Sequence, residues 1–189
     1  MTPRALAIFG GSFDPPHVAH LEIIRRVIGI GAAGRVVVVP CARHAFGKPL
    51  APFRHRLAMC ALTCDESAGL ATASDVESRL GLSGYTVDTV EAIAAENPGV
   101  PLRLVVGADV LPDRARWRRW GDVARIAPPL IVARAGHDDG GEAVVPAPAG
   151  ISSTEVRALI AAGSPPAGML LPSVLDYIEA HRLYRRQGR

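Results

Sequence analysis

Lysine is almost missing from this chain: Lys48 stands alone, and arginine supplies every other basic side chain. The formal net charge is +3 with a pI near 9.1, which suits an anionic ligand but falls short of the basic excess of a nucleic-acid binder. Aromatic residues make up 5% of the sequence, too few for a broad base-stacking platform, although Arg114, Arg116, Arg118 and Arg119 do surround Trp117 and Trp120. Cysteine is scarce and odd in number: Cys41, Cys60 and Cys64 cannot make a disulfide framework, so a reducing cytoplasm is expected. Cys60 and Cys64 share a helical face, but without clustered histidines they read as core thiols rather than a metal site. No apolar run reaches membrane-spanning length, since even Val27 to Val39 is cut by glycines and Arg35, and the opening Met1-Thr2-Pro3-Arg4 has no signal-peptide pattern. The 189 residues, 49% hydrophobic and 21% charged, are expected to form one domain over positions 1–189.

What is present is concentrated in Gly10-Gly11-Ser12-Phe13-Asp14-Pro15-Pro16-His17-Val18-Ala19-His20, which follows the apolar run Ala5 to Phe9 and leads into a helical pattern. A strand, a glycine turn and a helix start carrying two histidines form a phosphate site. Glycine allows the backbone close to a ligand, and the N–H groups that open a helix attract anions. His17 and His20 are three apart and share one helical face. Neither the dinucleotide fingerprint nor the P-loop is matched, because their glycine spacing and the Lys-Ser/Thr ending are absent. Asp14, before proline, reads as a turn former.

Short β-branched runs alternate with helical patterns along the chain, the sequence form of βαβ units. Strands are predicted at Ala5–Phe9, Arg35–Val39, Ala71–Glu77, Leu102–Val106 and Leu130–Ala133, with Ala143–Pro146 as a further candidate. Helices are predicted at His17–Ile28, Pro52–Cys64, Thr86–Glu96, Ser153–Ala162 and Pro172–His181, and a Gly-, Asp- and Pro-rich loop at Gly136–Gly150. The expected fold is α/β: a single Rossmann-like, doubly wound, mainly parallel sheet with helices on both faces. Ligands of such sheets bind beyond the carboxyl ends of the strands where strand order reverses. If the first and fourth strands flank that point, Gly10–His20 faces Gly107-Ala108-Asp109.

Ile151-Ser152-Ser153-Thr154-Glu155-Val156-Arg157 opens another helix, whose hydroxyls and free N–H groups can cap the helix or hold phosphate. The two segments together resemble the paired signatures of a nucleotidyltransferase superfamily, Gly-x-Phe-Asp-Pro-x-His-x-Gly-His and Ile-Ser-Ser-Thr-x-x-Arg. Within it, Gly84-Tyr85-Thr86-Val87-Asp88-Thr89, Gly107-Ala108-Asp109 followed by Trp117, and Leu171-Pro172 through Tyr177-Ile178 to Leu183-Tyr184 are similar to bacterial nicotinate mononucleotide adenylyltransferases. The likeness covers nearly the whole chain. It departs at Ala19, at Arg43-His44-Ala45-Phe46-Gly47-Lys48 where the family often has Pro-Pro-His-Lys, and at Arg118, where an aromatic is frequent.

The resemblance implies transfer of AMP from ATP to nicotinate mononucleotide, with His17, His20 and Arg157 as catalytic groups. It implies an ATP site built from Gly10, Gly11, Ser12, Phe13, His20, Gly107, Asp109, Arg134, Ile151, Ser152, Ser153, Thr154 and Arg157. Thr86, Trp117 and the N–H of Arg118 would hold the nicotinate ring, against plainer readings of a helix cap and a core aromatic. Lys48, with Arg43 or Arg56, falls in sequence order where the acceptor phosphate would lie. Mg²⁺ is expected through ATP oxygens and water, with no protein-held metal. The alternatives are nicotinamide mononucleotide or phosphopantetheine as acceptor, a non-catalytic adenine-nucleotide sensor, or an RNA binder; no nucleic-acid or membrane partner is expected, and a homo-oligomer is left open.

Overall fold

The computed structural model describes residues 4–43, 47–134, 136–137, 140–148 and 150–185. Five strands, β1 (Leu6–Gly11), β2 (Arg35–Pro40), β3 (Ala71–Ala73), β4 (Leu102–Gly107) and β5 (Pro129–Val132), form one sheet in the order β3-β2-β1-β4-β5. Every pairing is parallel. The helices are α1 (Val18–Gly29), α2 (Phe53–Asp65), α3 (Val76–Arg79), α4 (Thr86–Glu96), α5 (Trp120–Ile126), α6 (Ser153–Ala161) and α7 (Pro172–Ala180), with a 3-10 helix at Ala108–Arg116.

A parallel strand covered on both faces must be apolar at successive positions, and β1 and β2 are. Leu6 and Ile8 of β1 join one core with Val87, Val90 and Ile93 of α4 and Val123 of α5. Ala7 and Phe9 join the other with Ile24 and Val27 of α1 and Cys60 and Cys64 of α2. A third cluster joins Met59 of α2, Val156 of α6 and Val174 and Ile178 of α7. The doubly wound architecture expected from the strand–helix alternation is therefore present.

The chain steps outward from β1 to β3, then returns to place β4 on the other side of β1. The reversal lies between β1 and β4, and a crevice opens past their carboxyl ends. Two predicted strands differ. β3 stops at Ala73 because the Ser74 hydroxyl accepts the Val76 N–H at 3.2 Å, turning the backbone into the single turn α3. Ala143–Pro146 makes only an isolated parallel bridge, Val132 to Val145.

Candidate functional site

His17 is the extended residue that precedes α1, and His20 lies one turn in. The main-chain N–H of His17 donates to His20 Nδ1 at 3.0 Å. A ring nitrogen that accepts cannot carry a proton, so neutral His20 presents its N–H at Nε2. The two rings stack with centroids 3.8 Å apart at 26°, and Phe13 and Phe9 lie against His20 at 4.9 Å and 5.9 Å. Burial, followed by the Arg134 guanidinium, lowers the His17 pKa to about 4. Burial, then the charge of His17, holds His20 well below the ordinary imidazole range. Both rings are neutral at pH 7. Among the described residues, His17 Nδ1 is buried with no hydrogen-bond partner, while the residue itself lines a cleft.

These rings line a cleft of about 590 Å³ at the reversal point. Of the residues expected at ATP or in catalysis, Ser12, Phe13, His17, His20, Gly107, Asp109, Arg134, Ile151, Ser152, Ser153, Thr154 and Arg157 form its walls, and so does Lys48. Gly10 and Gly11 instead end β1 opposite Val39 and Pro40, outside those walls. A Cβ on Gly11 would come 3.1 Å from the Phe13 ring, so this glycine makes room for the aromatic that supports His20. Gly107 is bare for a related reason: a Cβ there would collide with Asp109 Oδ1. Asp109 in turn pairs with Arg134 at 2.6 Å, holding a guanidinium at the cleft wall.

The start of α6 lines the same cleft. Ser152 caps it, its hydroxyl accepting the Glu155 N–H at 3.2 Å. Ser153 Oγ donates to Pro15 O at 2.9 Å, and Thr154 Oγ1 accepts from Arg157 Nη2 at 3.2 Å. Ser153 spends its proton on Pro15 O, whereas the Ser152 and Thr154 hydroxyls act as acceptors and keep theirs, so those two O–H groups join the main-chain N–H groups of this helix start and the Arg157 guanidinium as donors available to an anion.

No local pattern of residues announces the joint beneath the cleft. Asp14, 2% exposed, follows Phe13, whose φ of 46° is left-handed, and is joined to Pro15 by a cis peptide bond. Its Oδ1 accepts from Tyr184 Oη at 2.7 Å and Ala51 N at 3.2 Å, while its main-chain oxygen accepts from Arg157 Nη1 at 2.5 Å. Arg56 is 1% exposed; Nε donates to Ala51 O at 2.9 Å and Nη1 to Ser12 O at 3.0 Å. The bond from Arg56 to Ser12 spans 44 positions and that from Tyr184 to Asp14 spans 170, beyond the reach of periodicity or motif spacing.

Thr86 opens α4, and half-buried Trp117, at the end of the 3-10 helix, meets Trp120 edge to face at 5.4 Å. The Arg118 guanidinium lies 5.2 Å over the Tyr85 ring. None of Thr86, Trp117 and Arg118 is among the described walls of the 590 Å³ cleft. His44, Ala45 and Phe46 of the departing segment, and parts of Gly136–Gly150, lie outside the described residues. Among the described residues, no group of three or more His, Cys, Asp or Glu could hold a metal ion, and no helix is long and apolar enough to cross a membrane.

A parallel sheet with paired histidines and a helix start lining one cleft at its reversal point defines a class: the cytidylyltransferase-like family model matches residues 8–159. The chain is 42% identical over 185 residues to a protein of Anaeromyxobacter dehalogenans described as a probable nicotinate-nucleotide adenylyltransferase, covering 96% of this chain and 97% of that one. A Myxococcus xanthus protein of the same description is 35% identical, over 95% and 94% of the two chains. The chain belongs to the nicotinate-nucleotide adenylyltransferase family and is thus a nucleotidyltransferase. The fold is shared with Plasmodium falciparum nicotinic acid mononucleotide adenylyltransferase complexed with NaAD, at a TM-score of 0.82 and 21% identity over 96% of this chain and 97% of that one.

Proposed function

We propose that this protein transfers AMP from ATP to nicotinate mononucleotide, releasing pyrophosphate and forming nicotinate adenine dinucleotide for NAD synthesis. The observation that carries this reading is the stacked, neutral His17–His20 pair lining one cleft together with the start of α6 and Arg157. The names of relatives matched over nearly their whole length support the same activity.

In the reaction an acceptor phosphate oxygen forms a bond to the α-phosphorus of ATP as the bond to the bridging oxygen of pyrophosphate breaks. The acceptor phosphate is already a nucleophile, so the site must align the partners and stabilise the departing charge. His20 Nε2–H donates to an α-phosphate oxygen, and His17 bonds an oxygen of the α- or β-phosphate. Arg157 and the N–H groups opening α6 hold the leaving pyrophosphate, while Asp109 and Arg134 border the adenosine side. Mg²⁺ enters as MgATP, held by phosphate oxygens and water. Lys48 meets the acceptor phosphate, and Thr86, Trp117 and the Arg118 N–H receive the nicotinate ring at a site adjoining the cleft. The setting is the cytoplasm, where Cys41, Cys60 and Cys64 are free thiols.

Purified protein should release pyrophosphate from MgATP only when nicotinate mononucleotide is supplied, and should prefer it to nicotinamide mononucleotide at equal concentration. His20→Ala should lower kcat by about a hundredfold or more with its melting temperature kept. No turnover with either mononucleotide would refute the reading.

A further inference from the structure

Tyr184 lies in the turn after α7, far in sequence from the β1–α1 loop at the cleft, yet its hydroxyl reaches the buried Asp14 carboxylate at 2.7 Å. Two features mark this placement as specific. Tyr184 and Arg182 have φ of 62° and 51°, a left-handed conformation that residues with a Cβ rarely adopt. Leu183 and Tyr184 also pack on the core formed by α2, α6 and α7, so a segment of the kind that usually frays is tied down. The hydroxyl stays protonated, since burial and then the Asp14 charge push its pKa upward, and it remains a donor throughout the accessible pH range.

A buried carboxylate with too few donors draws in the nearest cation. For Asp14 that cation is Arg157, whose Nη1 stands 3.9 Å from Oδ2, at the outer limit of an ion pair, while donating to the Asp14 main-chain oxygen. The Tyr184 and Ala51 donors satisfy Oδ1 and so lessen the pull of the carboxylate on the guanidinium. We infer that Tyr184 is a positioning residue for ATP: by hydrogen-bonding Asp14 it keeps Arg157 from collapsing onto that carboxylate and leaves to the triphosphate the guanidinium N–H groups that Asp14 O and Thr154 Oγ1 do not use. The inference rests on the ATP reading of the cleft and is independent of the acceptor's identity.

Calorimetric titration of MgATP into the wild type, Tyr184→Phe and the double variant Tyr184→Phe/Asp14→Asn, with thermal melts of each, tests it. Loss of one charge-assisted hydrogen bond should weaken MgATP binding to Tyr184→Phe by about tenfold. In turnover, the KM for ATP should rise while that for the mononucleotide holds. The double variant should recover most of the lost affinity, because the neutral amide that Asp14→Asn introduces has no charge with which to capture Arg157. Wild-type affinity in Tyr184→Phe, a double variant binding no better than the single, or equal loss for both substrates with a lowered melting temperature would overturn the inference. A wild type that fails to bind MgATP would instead remove the ATP reading itself, a result distinct from a variant that binds as well as the wild type.

Discussion

Two imidazoles with centroids 3.8 Å apart cannot both be charged without strong repulsion, and the residues around His17 and His20 keep them neutral. The consequence for stability has a definite sign. The unfolded chain takes up the His17 proton at pH 6.5, whereas the folded protein does so only near 4, so acid favours the unfolded state. The stability attached to neutral His17 is fully present above pH 6.5 and is lost as pH falls from there to about 4, a change of about 3 kcal/mol from this one group. Urea unfolding across that window should show the decline, and a His17→Gln variant should show less of it. NMR should place the His17 midpoint near 4 in the free protein and move it upward with MgATP, since phosphate charge favours the imidazolium. An unchanged midpoint would place the triphosphate elsewhere.

At the scale of elements, the end of β1 bears on the site through packing. Gly11→Ala should push Phe13 off its position beside His20 and lower kcat by roughly tenfold or more, because small misplacements of reacting groups are costly. A variant with wild-type kcat would show that the Phe13 ring can yield freely. Elements with long apolar periodicity, such as β1, β2, α1 and α4, were legible in the sequence because burial on one or two faces writes itself into the residue order. The 3-10 helix at Ala108–Arg116 and α5 were not: the first is charged and contains Pro112, and the second has seven residues including Gly121. The two ends of the site were legible for a different reason, since each is a contiguous segment at a helix start. Arg56 shows where that legibility ends. Its place in sequence order pointed to the acceptor phosphate, whereas in the folded chain its guanidinium donates to the carbonyls of Ser12 and Ala51, contacts that only the tertiary structure creates. Asp14, read as a turn former, proved also to be the junction for Tyr184, Ala51 and Arg157 for the same reason.

For the whole molecule, the strand order makes one crevice where the loops after β1 and β4 and the start of α6 meet. A ligand there binds across all three parts at once, so binding should stabilise the protein as a unit. At MgATP a hundred times its Kd the gain is about 2.7 kcal/mol, which for a chain of this size raises the melting temperature by roughly 5 to 10 °C. Differential scanning fluorimetry measures this directly, and a flat response at millimolar MgATP would count against the ATP site.

The bond between Asp14 and Tyr184 also has a meaning for how the protein is made. A ribosome adds 170 residues between making one partner and making the other, and all five strands lie in that interval or before it. A nascent chain can therefore assemble its sheet well before the floor of the cleft receives this donor. If Tyr184 positions Arg157 for ATP, full nucleotide affinity is expected only after this last donor has been made.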